Sequence, residues 1–331
     1  LPFTNRNHYD IIFAIIGGTN KVNMKKLIII FSFLLLFVSA CGTNSSEDSS
    51  TDGKLVIYTS VYPLEFLASQ IAGDLASVKS VYPPGVDAHT YEPSSKEITN
   101  IARSDAFIYL GAGMESFSES IVESLSSHDV LFIEVGENEQ LFLHANDDEH
   151  NHDNHHHGDF DPHIWLDPLR MIKVGELITS NLSELDPDNR DTFENNFAQL
   201  KEKLQSLDEQ FVQTLEKKQS RKIIVSHAAY GYWEERYGIE QIPISGLSSS
   251  DEPSQKELAN IAKLAKKEQL NYVIFEQTGS NRLAEVIQEN IRAEKLYIHN
   301  LEVLTDENIE NGEDYFSIME QNLQTLDKAL K

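Results

Sequence analysis

The chain has 331 residues, of which 53 are acidic and 27 basic, for a formal charge of −26. Such a surface is a poor partner for nucleic acid and a good one for cations, whose local concentration its field raises. With a single cysteine, an intramolecular disulfide is excluded.

Residues 1–23 match neither a targeting sequence nor a domain and are set aside as an upstream or non-native extension. The first methionine is Met24, followed by Lys25, Lys26 and an apolar run over 27–38 broken only by Ser32. That run is too short to cross a bilayer core of about 30 Å, so 24–40 reads as a signal peptide. The lone cysteine, Cys41, follows Val38-Ser39-Ala40, and this tetrapeptide resembles a bacterial lipobox. In that reading Cys41 is lipidated, becomes the mature N-terminus and holds the protein to the outer face of the cell membrane. The alternative, a stray buried cysteine, fits poorly with the polar segment behind it. Residues 41–52 then form a flexible tether.

Folded material runs from residue 53 to 331, a length that suits two domains. Residues 54–59 (KLVIYT) read as a buried strand and 62–72 as a helix, with Pro63 in its first turn and Gly73 at its end. Prolines and a glycine fix the course of a loop over 81–94, which carries His89 between Asp87 and Glu92. A helix over 95–103, a second strand at 106–110 and a third at 130–135 complete an alternation that argues for parallel βαβ units.

Residues 144–168, HANDDEHNHDNHHHGDFDPHIWLDP, hold seven of the twelve histidines: His144, His150, His152, His155, His156, His157 and His163. Neutral imidazole suits zinc, copper and nickel. Up to Gly158 the tract has almost nothing to bury and reads as a loop that collects metal loosely, or else as a solvated acidic loop rich in histidine. From Phe160 onward Trp165, Leu166 and two prolines bring bulk and rigidity, which sets His163 apart as part of an ordered site.

A helix over 171–182 follows, then a long one opened by Asp186-Pro187-Asp188. Phe193, Phe197, Leu200, Leu204, Leu207, Phe211 and Leu215 form one apolar stripe at steps of three or four. About thirty residues of helix give roughly 45 Å, enough to span two domains or to fill the core of one. The second half again alternates. Strands are placed at 222–226, 241–244, 272–276 and 296–299. Helices are placed at 228–237, 254–268, 282–291 and 315–330, and a polar loop at 246–253. The domain division is therefore 53–185 with the His-rich loop 144–158, a linking helix over 186–220, and 221–331.

Four groups stand where the chain is ordered: His89 in a Pro/Gly-fixed loop, His163 in a Pro-bounded turn, His227 at a strand end, and Glu302 just past another strand. Ligands of open α/β sheets bind outside the carboxyl ends of strands. Two such sheets facing each other would gather three imidazoles and a carboxylate into a closed tetrahedral shell suited to zinc. Singly, each has a bland reading as a hydrogen-bonded structural residue, and Glu302 as an acid at the N-terminus of a turn over 305–309. Glu276, at the end of YVIFE, is the rival carboxylate, and water could complete the shell instead. No HExxH pair is present, and a fourth protein ligand would fill the open position that a catalytic zinc keeps, so an enzyme is not expected.

Several long motifs, in order, resemble the cluster A-I (cluster 9) metal-binding proteins of ABC transporters, the zinc and manganese solute-binding lipoproteins. Residues 84–93, PGVDAHTYEP, resemble the family's PGxDPHxYEP, with Ala88 where proline is usual. Residues 161–168, DPHIWLDP, match DPHxWLDP, and His227-Ala228-Ala229-Tyr230-Gly231-Tyr232-Trp233 resembles HxAFxYF. Gly246-Leu247-Ser248 through Glu252-Pro253-Ser254 resembles the GxSxxxEPS loop, and Glu302 falls where the fourth, acidic ligand is expected. The resemblance implies two α/β domains with mostly parallel sheets, joined by a rigid helix, with Zn2+ at one tight interdomain site and weaker sites in the loop. It implies a monomeric extracellular receptor that delivers metal to a membrane permease and its ATPase. Manganese members usually carry Glu at position 227 and Asp at the fourth position, so His227 and Glu302 favour zinc. A manganese receptor and a surface adhesin on the same fold are the alternatives that the resemblance allows.

Overall fold

The structure, a computed structural model, describes residues 53–144, 160–279 and 281–330. The signal peptide, Cys41, the tether and His150, His152, His155, His156 and His157 lie outside them. β1 (Leu55–Thr59) leads into α1 (Tyr62–Ala72), which opens with Pro63, whose missing N–H would be unpaired in a first turn anyway, and stops at Gly73 with φ 55°. Next come β2 (Ala76–Ser80), α2 (Ser95–Ile101), β3 (Ala106–Tyr109), α3 (Ser118–Ser124) and β4 (Leu131–Glu134). The four strands make one parallel sheet in the order β2-β1-β3-β4.

β5 (Leu143–His144) and β6 (Phe160–Asp161) then pair antiparallel. α4 (Pro168–Leu185) is capped by Asp167, whose carboxylate accepts from the N–H groups of Leu169 and Arg170. α5 (Arg190–Leu215) has 26 residues, about 39 Å at the standard rise. The second lobe contains β7 (Lys222–Val225), α6 (Gly231–Tyr237), β8 (Glu240–Pro243), α7 (Gln255–Lys267), β9 (Tyr272–Glu276), α8 (Arg282–Ile291) and β10 (Glu294–Ile298). Its strands are parallel in the order β10-β9-β7-β8. α9 (Asp306–Glu310) and α10 (Tyr315–Ala329) close the chain.

The expected fold class holds: two α/β lobes with parallel sheets, and one long helix packed on both. The N-terminal turns of α5 meet the first lobe, where Asn196 donates to the Ile71 carbonyl at 2.9 Å and Phe197 lies on Gly175. Its C-terminal turns meet α6, with the Phe211 ring tilted against those of Trp233 and Tyr237. α10 reaches back across the lobes: Tyr315 stacks on Phe66 at 5.3 Å and its hydroxyl donates to the Trp165 carbonyl. One apolar core runs through both lobes, and a smaller one lies between the second sheet and α7 and α8.

Several elements differ from the sequence expectation. The edge strand β2 was not anticipated, because ASVKS has too little apolar content to signal a buried run; an edge strand needs less. α3 was also missed, since in SESIVES only Ile121 supplies a buried apolar side chain. The short strand β5 stands between the first sheet and the His-rich tract, so His144 belongs to the β5–β6 ribbon rather than to the loop. The helix expected from Ala228 starts at Gly231, because residues 227–230 turn to present His227. Glu302 lies before α9, which is capped by Thr305, so it is not an acid of that helix's first turn.

Candidate metal centre

His89 lies in the loop after β2. Its backbone N–H donates to Asp87 Oδ1 at 3.0 Å, and Tyr82 donates to the Ala88 carbonyl beside it. The other Asp87 oxygen accepts from the Ser249 hydroxyl at 2.6 Å, a bond from the first lobe to the loop after β8 in the second. His163 stands between β6 and a short 3-10 turn (Ile164–Leu166) and is wholly buried. Asp161 Oδ1 accepts from both its backbone N–H, at 3.0 Å, and its Nδ1, at 2.8 Å. Gly231 is required here by close approach: a Cβ on it would sit 2.6 Å from the Asp161 carboxylate.

His227 is two residues beyond β7 and 1% exposed. Its Nδ1 lies 2.6 Å from Glu276 Oε1, which also accepts from the Tyr230 hydroxyl at 3.2 Å. Glu302 is four residues beyond β10 and 4% exposed. Its backbone is tied to the first lobe: Tyr62 N–H donates to the Glu302 carbonyl and Gly85 N–H to that of Leu304, both at 2.9 Å.

These elements aim four atoms at one point. Glu302 Oε1 is 3.4 Å from His89 Nε2, 3.6 Å from His163 Nε2 and 3.7 Å from His227 Nε2. The Nε2 atoms of His163 and His227 are 3.3 Å apart. Metal–ligand bonds of about 2.0–2.1 Å in a tetrahedron separate the ligands by roughly 3.3–3.4 Å, close to this spacing. With Asp161 and Glu276 each holding a proton on Nδ1, the Nε2 atoms of His163 and His227 present lone pairs to a carboxylate oxygen. His89 Nε2 and Glu302 Oε1 are buried with no hydrogen-bond partner. Buried acceptors left unpaired in this way are costly unless a proton or a metal cation joins them.

The charges point the same way. Burial disfavours a charged imidazole, but the hydrogen bond to Asp161 and the nearby Glu302 carboxylate outweigh it and raise His163 to about 9. Burial likewise opposes charge on His227, and the Glu276 carboxylate overrides it and raises that pKa. Burial opposes ionisation of Glu302 too, yet the imidazoles of His163, His89 and His227 around it hold its carboxyl well below the usual range. The pocket therefore favours positive charge at its centre, supplied by protons or by a metal competing for the same lone pairs.

Among the described residues these four form the group able to hold a metal ion, and the structure brings together the set His89, His163, His227 and Glu302. Glu276, the rival carboxylate, sits behind His227 on Nδ1. His144 is outside the cluster, exposed, with its ring 4.9 Å from Phe160. It lines a cavity of about 680 Å³ shared with Asp161, Ala228 and Glu234. The sequence reading missed Asp161 as the residue that orients His163; the signal was the acid two positions before the histidine. The partnership of Glu276 with His227 spans 49 positions and leaves no local trace.

The chain is similar to known zinc-binding proteins. A family model described as ZnuA, zinc-uptake complex component A, periplasmic, matches residues 57–329. The zinc-binding lipoprotein AdcA of Streptococcus pneumoniae (strain R6) is 37% identical over 313 residues, covering 92% of this chain and 60% of AdcA. The chain thus spans about 60% of the length of that relative. The high-affinity zinc uptake system protein ZnuA of Bacillus subtilis is 33% identical over 301 residues, 89% of this chain and 94% of that protein. The crystal structure of the Zn(II)-bound ZnuA-like domain of S. pneumoniae AdcA superposes with a TM-score of 0.71 at 35% identity, covering 84% of this chain and 99% of that one. The chain belongs to the ZnuA family of zinc-uptake components.

Proposed function

We propose that this chain is an extracellular zinc receptor, which captures Zn2+ with His89, His163, His227 and Glu302 and delivers it to an ABC-type permease and its ATPase. The observation that carries the reading is the convergence of four ligand atoms within 4.8 Å of one another, of which His89 Nε2 and Glu302 Oε1 are buried without a hydrogen-bond partner. Three imidazoles favour zinc over manganese, which stands lowest in the usual order of divalent-metal affinities for such donors. A carboxylate as fourth ligand closes the shell, so the site binds rather than catalyses. The lobes 53–185 and 221–331, linked by the helix region 186–220, form the two sides of the site. Lipidation at Cys41 anchors the monomer to the outer face of the cell membrane, in line with a relative named as a lipoprotein. His144, His150, His152, His155, His156 and His157 serve as a weaker collecting tract.

The test is a zinc titration against a chelator of known affinity. Wild-type protein takes up one tight equivalent, and His227→Ala loses about 100-fold or more in affinity. Unchanged affinity in His227→Ala would overturn the ligand assignment.

A further inference from the structure

Glu302 reaches the metal centre from an unusual backbone. Leu301, just before it, has φ +66° in the left-handed region, where a branched, non-glycine residue is strained. Leu301 is also completely buried, so glycine, which would relieve the strain, would leave a void there. Something must hold the turn.

His299 stands at that point, at the end of β10 and 1% exposed. Its Nδ1 lies 2.9 Å from the Leu301 backbone N–H, which can only donate, so Nδ1 is the acceptor. Its Nε2 then carries the proton and donates to Asn308 Oδ1 at 3.0 Å. Its own backbone N–H and carbonyl are both clamped by the Asn322 amide of α10, at 2.9 and 2.8 Å. Asn300 completes the turn: its side-chain oxygen accepts the Glu302 N–H at 3.2 Å, and its carbonyl accepts from Trp165 Nε1 at 2.7 Å. Burial lowers the pKa of His299, which keeps the ring neutral and the Nδ1 lone pair available.

We propose that His299 is a positioning residue for zinc capture: its Nδ1 locks the left-handed turn at Leu301 and so aims the Glu302 carboxylate at the three imidazoles. It touches neither the metal nor its ligands' donor atoms, and it acts through the backbone. The inference rests on the reading of Glu302 as a zinc ligand and adds what holds that ligand in place.

Two variants separate the ring's two bonds. In His299→Asn the amide oxygen can replace Nδ1 as acceptor for Leu301, while the bond to Asn308 is lost. In His299→Gln the longer amide can still donate to Asn308, while the Leu301 N–H is orphaned. Zinc affinity and the melting temperature of the metal-free protein are measured on both, together with His227→Ala. The expected result is a loss of about 10- to 100-fold in affinity for His299→Gln and near wild-type affinity for His299→Asn, with similar melting temperatures. Affinities that follow melting temperature in both variants, or a loss confined to His299→Asn, would overturn the proposal. Nitrogen-15 shifts of the His299 ring in the wild-type protein give a reading free of folding defects: a protonated Nδ1 contradicts the proposal and a protonated Nε2 supports it. Retained tight binding in His227→Ala would instead show that the ligand set itself is wrong, whatever the His299 variants do.

Discussion

Glu276 Oε1 lies 2.6 Å from Nδ1 of His227, on the opposite ring nitrogen from the one that faces Glu302 at 3.7 Å. The carboxylate therefore fixes the tautomer of His227 and makes its Nε2 a better donor, without entering the ligand set. Glu276→Gln keeps an acceptor and removes the charge. Zinc affinity should fall by about 10- to 100-fold with one equivalent still bound, as is usual for partners of ligating histidines. Loss of that equivalent altogether would mean that Glu276 is itself a ligand.

Ser249 and Asp87 make a direct side-chain bond between the lobes beside His89, at 2.6 Å. Ser249→Ala removes it and leaves Asp87 its bond to the His89 N–H. A hydrogen bond to a charged, partly exposed acceptor contributes about 1 kcal/mol, so zinc should dissociate several-fold faster. Stopped-flow release into excess chelator measures this; an unchanged rate would show that the bond does not restrain the closed lobes.

Asp208 on α5 is 5% exposed and accepts from Arg236 Nε at 2.8 Å, from Arg236 Nη2 at 2.6 Å and from the Tyr237 hydroxyl at 3.1 Å. This cluster ties the long helix to the second lobe. Asp208→Ala should lower the unfolding free energy by ~2 kcal/mol, a figure limited by the partial exposure of Arg236. Denaturant unfolding checks it, and zinc affinity should stay unchanged.

Glu115, after β3, accepts from the N–H groups of Leu110 and Gly111 at 2.9 and 2.8 Å, yet burial pushes its carboxyl up from 4.5 to about 7. The folded state then holds a proton that the unfolded chain has released, and stability from this group falls as pH rises. The contribution is fully present below about pH 4.5 and is lost through about pH 7. Glu115→Gln cannot titrate, so wild-type stability should decline relative to the variant over that window. A parallel pH course for the two proteins would contradict it.

Strong local signals were legible in the chain. Pro63 and Gly73 marked both ends of α1, YVIFE marked β9, and the bulky, proline-bounded surroundings of His163 separated it from the polar histidines before it. Local pattern does not separate Glu302 from Glu276, because both acids end or follow a strand of the same sheet; only the family resemblance favours Glu302. Which acid faces the imidazole Nε2 atoms depends on the register of β9 against β10 and on the left-handed turn at Leu301, which no local pattern announces in a leucine. The roles of Asp161, Asn300 and His299 depend on which hydrogen-bonding groups remain unpaired after folding, a property of the packed chain. β2 carries no local signal because none of its residues is fully buried.

The measurement that tests the central claim most directly is metal content after competition. The metal-free protein, without an affinity tag, is offered zinc and manganese together in equal excess, dialysed, and analysed for bound elements. The account predicts one tightly retained zinc, any further zinc being weaker. Retained manganese, or no tightly held metal at all, would contradict the assignment of His89, His163, His227 and Glu302 as a zinc site.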